Sequence, residues 1–114
     1  MARDDERTTT VPPTIRIAAA LLVDGGRLLL VRKRGTTAFM QPGGKIDPGE
    51  DSIDALRREL HEELGLVVLR SAPVPLGKFS APAANEPGHT VEAEIFIVET
   101  AETMQPAAEI EEAK

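Results

Sequence analysis

The chain of 114 residues contains no cysteine, no tryptophan and no tyrosine. Without cysteine there can be no disulfide, no thiolate nucleophile and no thiolate metal site. That composition fits a reducing compartment, and the reading is cytoplasmic. Three phenylalanines, Phe39, Phe79 and Phe96, are the only aromatic rings, so stacking platforms for a flat ligand are scarce. Long apolar runs are also missing. The longest, such as Ile17 to Val23, are far too short to span a bilayer as a helix, and Met1 to Thr10 is too polar for a signal peptide. No membrane partner is expected. Net charge is −6, which argues against a nucleic-acid polymer as the main partner. A small phosphorylated ligand stays compatible, because a few cations or a bound metal can reverse the local potential.

The length suits one domain with one modest core. Residues 1–13 read as a flexible arm ending in Pro12-Pro13, and residues 14–114 as the domain. Ile15 to Val23 and Leu28 to Val31 are strand-like runs. Asp24-Gly25-Gly26 between them is a hairpin signal, since glycine takes positive φ without steric cost. Phe39 to Glu50 reads as a loop rich in glycine and proline. Asp51 or Ser52 caps a helix expected to run to Leu64, with Gly65 ending it in a left-handed conformation. Ile53, Leu56, Leu60 and Leu64 form its buried stripe. Val67 to Leu69, Val74 to Phe79 and Thr90 to Val98 are further strand candidates. Ala107 to Lys114 sets charged groups around the single Ile110, which leaves that edge open to completion by another chain.

Glu59, Glu62 and Glu63 stand at i, i+3 and i+4, on neighbouring positions of one helix face. Like charges at i and i+4 destabilise a helix by roughly 0.2–0.5 kcal/mol per pair. The negative end of the helix dipole adds to that cost. A hard divalent cation would relieve it, because Mg²⁺ prefers oxygen ligands. Taken alone, such a face is ordinarily just solvated, balanced here by Arg57 and Arg58 as weak surface pairs. The preceding Gly43-Gly44 and Pro48-Gly49 allow sharp turns that bring the backbone close to a ligand.

Taken together the spacing is specific. Gly44, five residues, Glu50, seven residues and then Arg58-Glu59-Leu60-His61-Glu62-Glu63-Leu64-Gly65-Leu66 match the Nudix box at every defined position. The chain resembles the Nudix (MutT-like) hydrolases from about Thr14 to Lys114, with the box at 44–66. The resemblance implies an α/β (α+β) fold, an α/β/α sandwich around a mixed central sheet. Its usual last strand and C-terminal helix are missing from this chain, so a truncated C-terminus is expected.

The resemblance further implies hydrolysis of a diphosphate bond in a nucleoside diphosphate derivative by metal-activated water, with Mg²⁺ or Mn²⁺ as cofactor. Glu59, Glu62, Glu63 and the Gly43 carbonyl would hold the metal. Arg58 would pair with Glu50 and keep the loop in place. Glu62 and Glu109 are the two candidates for the base that accepts the proton from water. Arg32 and Lys33 would contact substrate phosphates. Phe39, with Phe79, is the available platform for a base. His61 fills a free position of the box and reads as solvated, and His89 has no role. A non-catalytic Nudix-fold nucleotide sensor is the alternative; an intact box speaks for the enzyme. A homodimer is compatible with the open C-terminal edge.

Overall fold

The computed structural model describes residues 14–83, 87–107 and 110–114. The expected N-terminal arm and Glu109 lie outside the described residues. In chain order the elements are β1 (Thr14–Asp24), β2 (Arg27–Leu29), β3 (Val31–Lys33), β4 (Gly43–Lys45), α1 (Ser52–Leu64), β5 (Val74–Pro82), β6 (Thr90–Glu99) and β7 (Ile110–Ala113).

β1 organises the main sheet. β6 runs parallel to it over its length, from Thr14↔Thr90 to Val23↔Glu99. Its other edge is shared by two short antiparallel partners. β4 pairs with Ile17 to Ala19, and β2 pairs with Leu22 to Asp24. β5 adds antiparallel to β6. One parallel and three antiparallel pairings make the sheet mixed, in the order β2-β1-β6-β5 with β4 alongside β1. The hairpin closes as its sequence signals: Asp24 pairs with Arg27 across Gly25 and Gly26, whose φ values of 58° and 83° suit a tight turn between twisted strands. β3 and β7 form a second small antiparallel sheet.

Alternation along β1 separates two faces. Ala18, Ala20 and Leu22 are fully buried against α1, whereas Ile15 and Ile17 on the opposite face are half-buried. Leu56, Leu60 and Leu64 bring the helix stripe into the same core, joined by Leu66, Val68, Phe96, Val98 and Ile110. Ile53 packs at its margin. Asp51 caps α1 by accepting from Asp54 N–H, and Gly65 ends it with φ 71°. Among the described residues α1 is the only helix, so one helical layer of the expected sandwich is present.

Three local expectations are corrected. Val67 to Leu69 forms no strand and pairs in no ladder. Leu66 and Val68 point into the core, and the Val68 carbonyl accepts from Nε of Arg57 at 2.6 Å, so a helix side chain takes the place of a strand partner. The Phe39 to Glu50 loop contains a strand, β4, whose Gly43 lets it lie close against β1. The charged C-terminal segment also forms a strand. Ile110 is buried, β7 pairs with β3, and Leu30 and Lys114 exchange backbone hydrogen bonds of 2.7 and 2.8 Å.

Candidate metal and active site

Two glycines of β4 bring the sheet against the acidic helix. A Cβ at Gly43 would lie 2.2 Å from the Ala18 carbonyl oxygen, and Gly43 has φ 151°, so only glycine fits this close approach to β1. A Cβ at Gly44 would lie 2.4 Å from Cδ of Glu59. The Glu59 carboxylate thus occupies the space that a side chain at 44 would fill. Glu63, one helical turn on, is 2 % exposed, and its Oε1 accepts from Gly43 N–H at 3.3 Å. Burying a carboxylate is costly unless it is paired, hydrogen-bonded or bound to a cation.

Arg58 ties the loop to the helix. Its Nε and Nη2 donate to the two oxygens of Glu50, each at 2.9 Å, in a bidentate pair. The same guanidinium donates to Glu59 Oε2 at 2.9 Å and to the Lys45 carbonyl at 3.1 Å. Glu50 also accepts from Asp47 N–H at 2.9 Å. The Arg58 guanidinium first, and the Asp47 N–H second, hold the Glu50 carboxyl down at about 2. Arg58 is in turn held even more firmly protonated than usual. At the helix start, Arg70 pairs with Asp51 and Asp54 and lowers the pKa of the capping carboxylate.

Glu62 stands apart from its neighbours. Its side chain is half-exposed and lies 3.6 Å from Nη1 of Arg58. Among the described residues no three carboxylate or histidine side chains converge into a ready-made metal site. The structure therefore brings together Glu59, Glu63 and Gly43 and leaves Glu62 at the flank. The fit to a hard divalent cation rests on the donor set: a buried carboxylate, and a second carboxylate filling the cradle over Gly44.

A cavity of about 760 Å³ opens beside these groups. Its lining includes the charged side chains of Glu59, Glu63, Lys33 and Lys45 and the apolar ones of Ile15, Ile17, Met40 and Val91. Two expected contacts are not brought here. Side chains alternate along β3, so Lys33 reaches the cavity with Val31, while Arg32 points elsewhere. Arg32 donates to Glu112 at 3.3 Å and to the Thr36 carbonyl at 2.8 Å. Phe39 does not line the cavity, and the ammonium of Lys114 sits 4.9 Å from its ring centre. Phe79 is exposed on β5.

Met40, Gln41, Lys45 and Val91 are wall residues that the sequence reading missed. The alternation of Ile15 and Ile17 marks an apolar face, but Val91 joins it only through the parallel β1–β6 pairing. Met40 is placed by its bridge to Val31, with N–H···O distances of 2.9 and 2.8 Å. No signal in the sequence announces either contact.

The model of the NUDIX domain family matches residues 12–114. Over 73 residues the chain is 36 % identical to an 8-oxo-dGTP diphosphatase from Haemophilus influenzae, covering 60 % of this chain and 54 % of that protein. It is 38 % identical over 52 residues to an RNA pyrophosphohydrolase from Legionella pneumophila, covering 46 % of this chain and 30 % of that one. The chain thus spans about half the length of the first relative and less than a third of the second. The crystal structure of a MutT protein from Methanosarcina mazei superposes with a TM-score of 0.77 at 24 % identity, over 90 % of this chain and 76 % of that one, and bears on the fold alone.

Proposed function

Because this chain belongs to the NUDIX domain family, we propose that it hydrolyses the diphosphate bond of a nucleoside diphosphate derivative with the help of a divalent cation. The observation that supports the reading is the placing of Glu59 and buried Glu63 beside Gly43-Gly44 in the lining of a cavity that also takes in Lys33, Lys45 and several apolar side chains. Both curated relatives are named for cleaving phosphate–phosphate linkages, which supports the reaction class.

Glu59, Glu63 and the Gly43 backbone would hold Mg²⁺ or Mn²⁺, which suit oxygen donors. When bound, such an ion neutralises phosphate charge and acidifies water, which are the two obstacles to attack on a diphosphate. The chain's own residues do the rest. Lys33 and Lys45 offer cations to the phosphates from the cavity wall. Arg58 and Glu50 keep β4 and the loop against α1, so that Glu59 stays in place. Glu62, with solvent access and its direction set by Arg58, serves as the base that takes the proton from water. Glu109 remains the other candidate for that role.

The test is turnover. The protein is incubated with nucleoside di- and triphosphates, 8-oxo-dGTP, ADP-ribose, dinucleoside polyphosphates and an RNA, with Mg²⁺ or with a chelator. At least one small substrate is cleaved, the chelator stops it, and Glu63→Gln loses most of it. Equal activity in the variant removes the metal assignment. Thermal stabilisation by a nucleotide with no cleavage points to a sensor, and cleavage confined to the RNA replaces the small-substrate reading. A homodimer is tested by sedimentation; β5, an edge strand with all nine residues exposed, is one edge available for pairing.

A further inference from the structure

Strand alternation sorts the side chains of the main sheet by chemistry, because residues paired across neighbouring strands share a face. Arg16, Glu92, Glu94 and Lys78 fall on the side that carries α1, and Arg16 donates to Glu94 at 3.2 Å. The other side is apolar from strand to strand. Leu21 of β1 stands beside Ile97 of β6, Val23 beside Leu28 of β2, and Phe79 of β5 beside Ala93. Ile95 lies between Ala19 and Gly77, and the Phe79 ring comes within 3.5 Å of where a Cβ at Gly77 would sit. The charges on this side, Lys45 of β4 and Glu99 at the end of β6, stand at its margin. At one end the face runs on into the cavity, at Ile15, Ile17 and Val91.

Among the described residues the only helix packs on the opposite side. Leu28, Val74 and Phe79 are half or more exposed, and Leu21, Val23, Ile95 and Ile97 are half-buried. The segments of this sequence outside the described residues offer only Met1 and Val11 as large apolar side chains, too few to cover the face. A contiguous apolar surface of this kind marks an interaction site.

Size and charge favour a second copy as the occupant. Strands β1, β5 and β6 have 11, 9 and 10 residues. At about 3.3 Å per residue and about 4.8 Å between strands, their shared face covers on the order of 500 Å² before side-chain relief is counted. Two such faces together approach the roughly 1,000 Å² that a specific interface requires. Sheets pack face to face with their strands inclined by about 30°, and a two-fold axis would set this uncharged patch against itself with no like charges opposed at its centre. Bulky Ile95, Ile97 and Phe79 alternate with small Ala19, Ala93 and Gly77, which lets two layers interlock. A net charge of −6 and a single marginal lysine argue against an anionic membrane in that place. The β5 edge offers less, because Pro75 and Pro82 have no N–H to donate to an added strand and Lys78 lies between them.

We propose that the sheet face opposite α1 is the interface of a homodimer, in which β1, β6 and β5 of two copies pack face to face. The proposal does not depend on the hydrolase reading.

Sedimentation of the full chain over a range of protein concentrations, without nucleotide or metal, tests it. Wild type forms a dimer. Phe79→Glu, at an exposed position that the fold does not need, weakens the dimer by about tenfold or more, and so does Ile97→Glu. Lys78→Glu, on the reverse side of β5, leaves it unchanged. Melting curves establish that each variant is folded, and Phe79→Glu decides the matter if Ile97→Glu is not. A wild type that stays monomeric at every concentration overturns the proposal, and cosedimentation of that monomer with neutral phosphatidylcholine vesicles would assign the face to a lipid surface. A dimer that the face variants leave intact also overturns it and puts the contact elsewhere, as at the β5 edge.

Discussion

A β-carbon at Gly44 would meet the far end of a flexible side chain, the Glu59 carboxylate, while one at Gly43 would meet the backbone of β1. The two substitutions therefore fail differently. Gly44→Ala is expected to fold, because Glu59 can swing away, but to lose about 10–100-fold in metal affinity or turnover. Gly43→Ala is expected to lose about 1–3 kcal/mol of stability, since the strand cannot move without breaking its pairing. Thermal melts and Mg²⁺ titrations of the two variants separate the outcomes; an unfolded Gly44→Ala or a fully stable Gly43→Ala contradicts the packing described. Buried Glu63 makes a related prediction. Millimolar Mg²⁺ raises the Tm of wild type, because binding to the folded state relieves repulsion between Glu59 and Glu63. Glu63→Gln abolishes most of that rise, and an equal rise in the variant excludes this carboxylate from the metal.

The element at stake is the loop–helix unit from β4 to Gly65, and its connection is electrostatic. Glu50 has its pKa lowered from an ordinary 4.5 to about 2, by Arg58 and then by the Asp47 N–H. A lowered carboxylate pKa stabilises the fold above the unfolded value and loses that contribution as the pH falls toward the folded one. The Glu50–Arg58 contribution is thus constant from neutral pH down to about 4.5 and disappears toward about 2. Comparing the Tm of wild type and Glu50→Gln across that range checks the sign. The gap between them is expected to be widest above pH 5 and to close in acid, and a gap that widens in acid rules out the bidentate pair as its source. The helix itself was legible in the sequence from Asp51 to Gly65, because caps and apolar spacing are local signals. β4 was not, because what makes Gly43 to Lys45 a strand is the neighbouring β1 and not its own composition.

At the scale of the molecule, the C-terminal segment closes the structure around the site. Ile110 is buried in the core that α1 shares, and β7 pairs with β3, the strand that presents Lys33. The preceding turn meets the end of α1: Gln105 and Ala107 N–H donate to the carbonyls of Leu64 and Glu63, both at 2.9 Å. Ile110→Ala is accordingly expected to cost about 2–5 kcal/mol and to lower activity at temperatures where the wild type is unaffected. Denaturant melts measure the first, and a loss under about 0.5 kcal/mol would mean that this segment is not part of the core. Among the described residues no helix is long and apolar enough to cross a membrane.

The sequence by itself determined the acidic helix, its caps, the hairpin at Gly25-Gly26 and the box spacing from Gly44 to Leu66, because each depends on residues within a few turns of one another. Tertiary structure decided which of those residues meet. Strand alternation with a distant partner turned Arg32 away toward Glu112 and Lys33 into the cavity. Long-range packing gave Lys114 to the Phe39 ring and brought Met40, Gln41 and Val91 to the wall. A helix face fixes the spacing of three glutamates, but only the approach of β4 set Glu59 over Gly44, gave buried Glu63 the Gly43 N–H and left Glu62 with Arg58.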